Sequence, residues 1–433
     1  MIMIKEQDTI LARLMEAVRA SPGNPEAHYT LGYALLQKSA GRDTQLLYSA
    51  ILEGREAVRL KPDYVAALVL LGEAYARMGQ YDEAVQCLKS ALAYDPNRTE
   101  AHFELGRAYL GLGLDDEAIK KFRECVLLGM NGSAISAGIG KAYFHKQMYP
   151  EAIAELKRAL GINPADQEVR LLLAMSLRKS GAADEALAEF RKVLEKAPGN
   201  AEALLHVADV LLCKGKYEEA IVGFSDVLGV EPTNVEAING LGTALQLNGM
   251  VDEALREFRR AVDVCPGDYR GHANLANAYV DKGMYERAVQ EFRQALACHA
   301  GDPAVHNDFG ILLLLTGDAY GASLEFREAI RLDVGNCLAY INLGVALSHM
   351  ERDAEAKAAL DVAVRLNPGL PEAYYYLGCI ADRRAEPEAA ADAYEKFLKR
   401  TGGGDRRARA IRSRLAELRN VKQNGKSGIR NLA

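Results

Sequence analysis

The sequence predicts an all-α solenoid of about eleven helical hairpins. Alanine recurs every 34 residues, and a glycine or alanine lies 12 residues before each of these alanines. Proline follows the same period from Pro62 to Pro96 and again from Pro164 to Pro266. A fixed period of this length means that one structural unit is copied end to end. The alanines are Ala84, Ala118, Ala152, Ala186, Ala220, Ala254, Ala288, Ala322, Ala356 and Ala390.

Each repeat is interpreted as two packed helices. Helices approach closely where neither carries bulk, so the two small-residue series mark their crossing point. Proline ends a helix, and counting three residues past each proline gives ten repeats of 34 residues over 65–404. A longer repeat precedes them over 25–64, with six extra residues around Ser39 to Thr44 that lengthen its turn.

The ends of the array are predicted to be capped by helices. Residues 1–24 carry apolar residues at helical spacing, namely Ile10, Leu14, Ala17 and Val18. Residues 405–420 repeat this pattern with Ala408, Ile411, Leu415 and Leu418, and 421–433 are predicted to form a basic disordered tail. From Lys399 onward, eleven basic residues oppose two acidic ones in a chain of net charge -6.

One stretch of the second repeat carries a recognisable motif. Leu-Gly, then Tyr, Ala, a large apolar residue and Pro occur as Leu71, Gly72, Tyr75, Ala84, Leu88 and Pro96. This pattern resembles the tetratricopeptide repeat family over roughly nine-tenths of the chain. The resemblance implies a right-handed superhelical solenoid whose first helices line a concave groove.

Two departures from the family pattern are visible. The chain has no tryptophan, and His102, His272, His306, Tyr340 and Tyr374 occupy the place often held by that residue. The repeat from Ser133 has Gly138 and Gly140 inside its first helix. Interior glycines cost about 1 kcal/mol each relative to alanine, so this repeat is expected to be the least stable.

Composition favours a soluble protein, since 26% of residues are charged and 49% hydrophobic. No apolar run reaches the roughly 18 residues needed to cross a bilayer, and no secretory signal opens the chain, so a cytoplasmic location is predicted. Seven cysteines occupy different positions within their repeats, which predicts free thiols.

No catalytic, metal or cofactor site is predicted. Acidic pairs such as Asp82-Glu83 lie in the first turn of a second helix, where the helix dipole favours negative charge. Gly425-Lys426-Ser427 lacks the earlier glycine of a phosphate-binding loop. The histidines one period apart are interpreted as structural, and we expect neither an enzyme nor a small-molecule substrate.

Binding residues are predicted on the first-helix surface that faces away from the hairpin. In the later repeats it carries amides and one carboxylate, which donate to and accept from peptide backbone. They resemble the asparagine row in the tetratricopeptide region of O-linked N-acetylglucosamine transferases, although asparagine is also an ordinary surface residue. These positions are Asn239, Asn274, Asn277, Asn307, Asp308 and Asn342.

Two further groups are predicted to line the same surface. Arg77, Arg107 and Lys141 form a basic stretch that could receive acidic peptide, with a solvated charged face as the alternative. Leu315 and Tyr376 are predicted to form an apolar part of the binding surface.

The predicted function is a non-catalytic scaffold that binds a protein or extended peptide. The alternative is a targeting or regulatory subunit of an enzyme complex such as a glycosyltransferase, which affinity purification would reveal. RNA binding is disfavoured by the acidic body, and contact with nucleic acid or anionic lipid is expected only through the basic C-terminal tail.

Overall fold

The protein is described by a computed structural model covering residues 2–39, 43–401 and 405–430, with side chains described between 9 and 419. Over these ranges every regular element is a helix. The chain divides into two compact units, unit 1 over residues 1–210 and unit 2 over 211–433. The division falls inside one helix rather than at a repeat boundary.

Unit 1 begins with a single helix followed by helical hairpins. We number helices in chain order, so that even numbers from α2 to α22 are first helices and odd numbers from α3 to α23 are second helices. They are α1 (Ile2–Ala20), α2 (Pro25–Lys38), α3 (Thr44–Leu60), α4 (Val65–Arg77), α5 (Tyr81–Tyr94), α6 (Thr99–Gly111), α7 (Asp115–Leu127), α8 (Ser133–His145), α9 (Tyr149–Ile162), α10 (Gln167–Lys179), α11 (Ala183–Lys196) and α12 (Ala201–Cys213), the last reaching past residue 210.

Unit 2 continues the alternation to the last described helix. Its helices are α13 (Tyr217–Val230), α14 (Val235–Leu247), α15 (Val251–Val264), α16 (Tyr269–Asp281), α17 (Tyr285–Cys298), α18 (Pro303–Leu315), α19 (Ala319–Leu332), α20 (Cys337–His349), α21 (Asp353–Leu366), α22 (Pro371–Arg383), α23 (Pro387–Arg400) and α24 (Arg406–Arg430). All eleven first helices begin at the residues where the sequence places the start of a repeat. The extra residues 40–42 of the long turn lie outside the described residues.

Each hairpin closes on a small residue of its first helix. A Cβ on Gly106 would lie 2.8 Å from Cε1 of Phe122, and one on Gly310 would lie 2.6 Å from Cε1 of Phe326. The alanine series is fully buried. The glycine therefore makes room for a large second-helix side chain sixteen residues later. The close approach that was predicted between two small residues thus includes a contact between glycine and a large side chain.

A left-handed residue ends the first helices at one repeated position. Glycine supplies it in seven repeats, from Gly79 (φ 76) to Gly317 (φ 88). Three repeats place a residue with a Cβ there instead, at Gln147 (φ 59), Glu351 (φ 60) and Ala385 (φ 54). Left-handed backbone costs such residues roughly 1–2 kcal/mol, so these three turns are strained.

The first and last helices cover the ends of the array. On α1, Leu11 is buried while the predicted Ile10 is 52% exposed. Leu14 and Val18 pack on the same core, whereas Ala17 is exposed. The predicted apolar stripe is therefore corrected to Leu11, Leu14 and Val18. The sequence shows that Ile10 and Ala17 are apolar, but packing decides which residues of α1 face the core.

Helix α24 buries the four predicted apolar residues of the C-terminal cap. Ile411, Leu415 and Leu418 pack with Tyr374, Tyr394 and Phe397, and Arg414 Nε donates to Asp382 Oδ2 over 3.0 Å. The helix continues to Arg430 and does not end at residue 420, so the predicted disordered tail is corrected as far as that residue. Residues 431–433 lie outside the described residues.

Candidate peptide-binding surface

First helices of consecutive hairpins contact one another within each unit. Side chains on these helices that point away from their own second helix therefore form a continuous surface, which we call the first-helix face. In unit 2 this face is built by α14, α16, α18, α20 and α22. In unit 1 it is built by α2, α4, α6, α8 and α10.

The predicted amides of unit 2 bond to one another across this face. Asn274 Nδ2 approaches Asn239 Oδ1 at 3.4 Å, and Asn277 Nδ2 donates to Asp308 Oδ2 over 3.1 Å. Asn342 Nδ2 donates to Asn307 Oδ1 over 2.8 Å. The structure thus brings all six predicted polar residues into pairs that join neighbouring first helices, and we call this set the amide ladder.

Asp308 is the one carboxylate in the amide ladder. Burial raises its pKa, and hydrogen bonds from Asn277 and Asn307 oppose that rise. Asp308 makes no ion pair among the described residues, so only two neutral amides offset the cost of burying its charge. The ionised form of this carboxylate is therefore destabilised.

The amide ladder keeps hydrogen-bonding capacity in reserve. An asparagine side chain offers two donors and one oxygen with two lone pairs, and each pairing uses one donor or one lone pair. Asn274, Asn277, Asn307 and Asn342 are half-buried, whereas Asn239 is buried. Four amides can thus form hydrogen bonds with a bound partner. The buried Asn239 accepts from Asn274 and holds that side chain in place.

The predicted basic residues of unit 1 are placed differently. Arg77 donates to Glu73 Oε1 over 2.5 Å and to the Leu36 carbonyl over 3.2 Å, and Arg107 donates to Glu104 over 3.1 Å. Burial raises the pKa of Glu104, while Arg107 lowers it. The two arginines are thus occupied by neighbouring carboxylates and cannot form an open cationic patch.

Lys141 is the exception among the predicted cations. Its side chain is exposed and has no ion pair within the described part of the chain. It is free to meet a ligand.

The two predicted apolar residues have different surroundings. Leu315 is 58% exposed at the end of α18, together with Ile311 one turn earlier. Tyr376 is half-buried on α22, with its ring centroid 5.1 Å from that of Tyr375. Leu315 therefore offers apolar surface to solvent, while Tyr376 is partly used in packing.

Family comparison agrees with the repeated geometry. Three family models, each described as tetratricopeptide repeat, match residues 69–126, 136–166, 177–245, 245–307 and 338–369. The chain belongs to the tetratricopeptide repeat (TPR) family. No curated protein matches the sequence.

One solved structure shows the same fold at low identity, and the chain also aligns with two others. The crystal structure of the APC/C hetero-tetramer Cut9–Hcn1 aligns with TM-score 0.51 and 18% identity, over 96% of this chain and 94% of that one. Yeast Tom70 aligns with TM-score 0.49 and 17% identity, over 98% and 94%. YrrB, described as a TPR protein with an unusual peptide-binding site, aligns with TM-score 0.38 and 22% identity, over 43% and 95%.

The TPR fold supports a protein–protein interaction scaffold, a role the family generally performs without catalysis. Within the described residues, no group of three or more His, Cys, Asp or Glu side chains is arranged to hold a metal ion. No described helix is both long and apolar enough to traverse a bilayer. All seven cysteines, which lie in described ranges, are free.

In six of the described hairpins the TPR tryptophan position is filled by a polar side chain that contacts a backbone carbonyl in the preceding loop. His272 Nε2 lies 3.2 Å from the Pro266 carbonyl, while its Nδ1 lies 2.7 Å from Glu291. His306 repeats this pair of bonds with Ala300 and Glu325. The same carbonyl contact is made by His28, His102, Arg170 and Tyr374. These histidines are therefore occupied by structural contacts.

Sequence reasoning missed one polar residue of unit 1. His206 is buried beside the Phe190 ring at 5.4 Å, and neither ring nitrogen has a hydrogen-bond partner. The nearest carboxylate oxygen, on Asp209, is 4.0 Å from Nδ1 and already accepts from Arg178. The surrounding apolar run in α12 gave no sign of this, because burial without partners is a tertiary property.

Proposed function

We propose that this TPR protein is a non-catalytic scaffold that holds an extended peptide along the first-helix face of unit 2. The observation that carries this proposal is the amide ladder, whose half-buried amides lie side by side on consecutive first helices. Amides that both donate and accept suit the alternating N–H and C=O groups of an extended chain. Recognition would then depend on peptide backbone more than on peptide side chains.

Ile311 lies one turn after Asn307 on α18, Leu315 lies one turn after Ile311, and both side chains are exposed. They give one region of the surface a preference for an apolar peptide residue. The amide ladder supplies general affinity, and α18 supplies a limited choice among sequences.

A peptide selection tests this directly. Random twelve-residue peptides displayed on phage are selected on the full chain, and enriched peptides are synthesised and measured by fluorescence anisotropy. The double variant Asn274→Ala with Asn342→Ala should weaken binding by about tenfold or more, as expected for two lost hydrogen-bonding groups. A matched double variant on the second helix α17, Gln290→Ala with Gln294→Ala, should bind normally, since both residues are exposed there.

A chemical scan of the peptide sharpens the test. Methylating successive backbone nitrogens removes donors without changing side chains, and should weaken binding more than replacing the corresponding side chains by alanine. Peptides that bind the Asn274/Asn342 double variant with unchanged affinity would contradict the proposal. So would peptides that are insensitive to backbone methylation.

A further inference from the structure

Unit 1 contains a cavity of about 680 Å³ on its first-helix face. It opens among α6, α8, α10 and the start of α12, where Phe103, Leu172 and Met175 give it apolar walls. The amide ladder of unit 2 does not contribute to it. It is therefore a second candidate site with a different chemistry.

The cavity exists because α8 carries small side chains where its neighbours carry large ones. Ala137 and Gly138 correspond, one period away, to Phe103 and Glu104 on α6 and to Leu171 and Leu172 on α10. A Cβ on Gly138 would lie 2.6 Å from Cζ of Phe122, so the aromatic ring occupies that space. Gly138 thus makes room for Phe122, and the small side chain of Ala137 leaves the space that forms the cavity.

Charges of opposite sign come from different helices around the cavity. Lys141 on α8 supplies the cation, since Arg107 on α6 is paired with Glu104, while Glu168 on α10 and Glu202 on α12 supply carboxylates. Lys141, Glu168 and Glu202 are exposed and make no ion pair within the described ranges. The electrostatic character therefore changes sign along the row of first helices.

We propose that this cavity binds a large apolar side chain of an extended peptide, with an acidic residue on one side of that anchor and a basic residue on the other. The apolar walls remove the anchor from water, and the two charged sides fix the direction of the peptide. The inference rests on the proposed function in taking a peptide as its occupant, but it assigns a separate surface and a sequence preference.

The test uses the same displayed peptide library on the full chain. Peptides that need the cavity are identified by counter-selection against Ala137→Trp, which fills it. The matched control is Ala154→Trp, an exposed position on the second helix α9 of the same hairpin. The expected set carries Leu, Phe, Met or Trp flanked by opposite charges, and it should lose about tenfold or more in affinity with the filled cavity but not with the control.

Charge reversal gives a second readout that leaves the cavity volume intact. Lys141→Glu should weaken binding of an enriched peptide about three- to tenfold and reduce its salt dependence. Reversing the acidic peptide residue to lysine should restore binding to this variant. Far-UV circular dichroism of Ala137→Trp checks that the variant keeps its helix content.

The outcomes separate this inference from the proposed function. Peptides lost with the Asn274/Asn342 double variant but retained by Ala137→Trp and Lys141→Glu would overturn the cavity and leave the amide ladder standing. The reverse pattern would support the cavity and overturn the amide ladder. If every enriched peptide is indifferent to all of these changes, both assignments are wrong.

Discussion

The first-helix faces of unit 1 and unit 2 are built on the same hairpin but present different chemistry. In unit 1 the pair of Arg107 and Glu104 adjoins a cavity, whereas in unit 2 asparagines bond to one another in a row. The hairpin interior hardly changes, since Gly106 faces Phe122 in one unit as Gly310 faces Phe326 in the other. Packing positions are therefore repeated, while the face between them is free to vary.

The largest expected effect comes from breaking what the units share. Gly106→Leu in unit 1 and Gly310→Leu in unit 2 drive a side chain into the opposing phenylalanine, and each should lower the free energy of unfolding by about 2–3 kcal/mol. Urea titration followed by circular dichroism measures this. Gly161→Ala and Gly229→Ala, where an added Cβ meets nothing within 4 Å, should be neutral or stabilising. Equal losses in both sets would contradict the close approach.

A buried carboxylate should respond differently in the two units. Burial raises the pKa of Asp308, so the wild-type protein loses stability as pH rises from about 4 through that raised pKa. Asp308→Asn removes this loss and should stabilise the protein by about 1 kcal/mol at neutral pH. Glu104→Gln should gain less, because Arg107 then loses its partner.

Thermal unfolding between pH 4 and 7.5 distinguishes these two variants. The difference in Tm between Asp308→Asn and wild type should grow with pH and then level off. A difference that shrinks as pH rises would mean that the ionised Asp308 carboxylate stabilises the fold.

The strained turns predict a smaller gain in both units. Gln147→Gly in unit 1 and Glu351→Gly in unit 2 relieve left-handed backbone, at some cost in unfolded-chain entropy, and each should stabilise by about 0.5–1 kcal/mol. The reciprocal change Gly317→Ala should destabilise by a similar amount. Differential scanning calorimetry measures all three, and a Tm that falls in both glycine variants would contradict the interpretation.

The smallest expected effect concerns His306 of unit 2, which contacts Glu325 and the Ala300 carbonyl. The hydrogen bond with Glu325 raises the pKa of His306, and burial opposes the rise. The stabilisation is therefore complete below about pH 6.5 and is lost as pH rises through the raised pKa. His306→Gln should flatten the decline in Tm between pH 6 and 8, with a change below about 1 kcal/mol. An unchanged pH profile would show that His306 is not protonated.

Much of the fold was predictable, since repeated small residues and prolines place the start of every first helix. The left-handed turn could also have been read from Gly79 to Gly317, but Gln147, Glu351 and Ala385 break that pattern and hide it. For the candidate site, sequence predicted which residues lie on the face. The spacing of Glu73 and Arg77, and of Glu104 and Arg107, already permits ion pairs within one helix. Only the structure shows that these pairs form, because that depends on side-chain rotamers.

The amino-acid sequence by itself determined the number of hairpins and where each first helix begins, because a 34-residue period leaves few ways to bury its apolar positions. Tertiary structure decided which polar side chains satisfy one another and which remain open. It paired Asn342 with Asn307, left Lys141 without an ion pair among the described residues, and opened a cavity beside Ala137. These outcomes depend on distances between consecutive repeats, which no single repeat encodes.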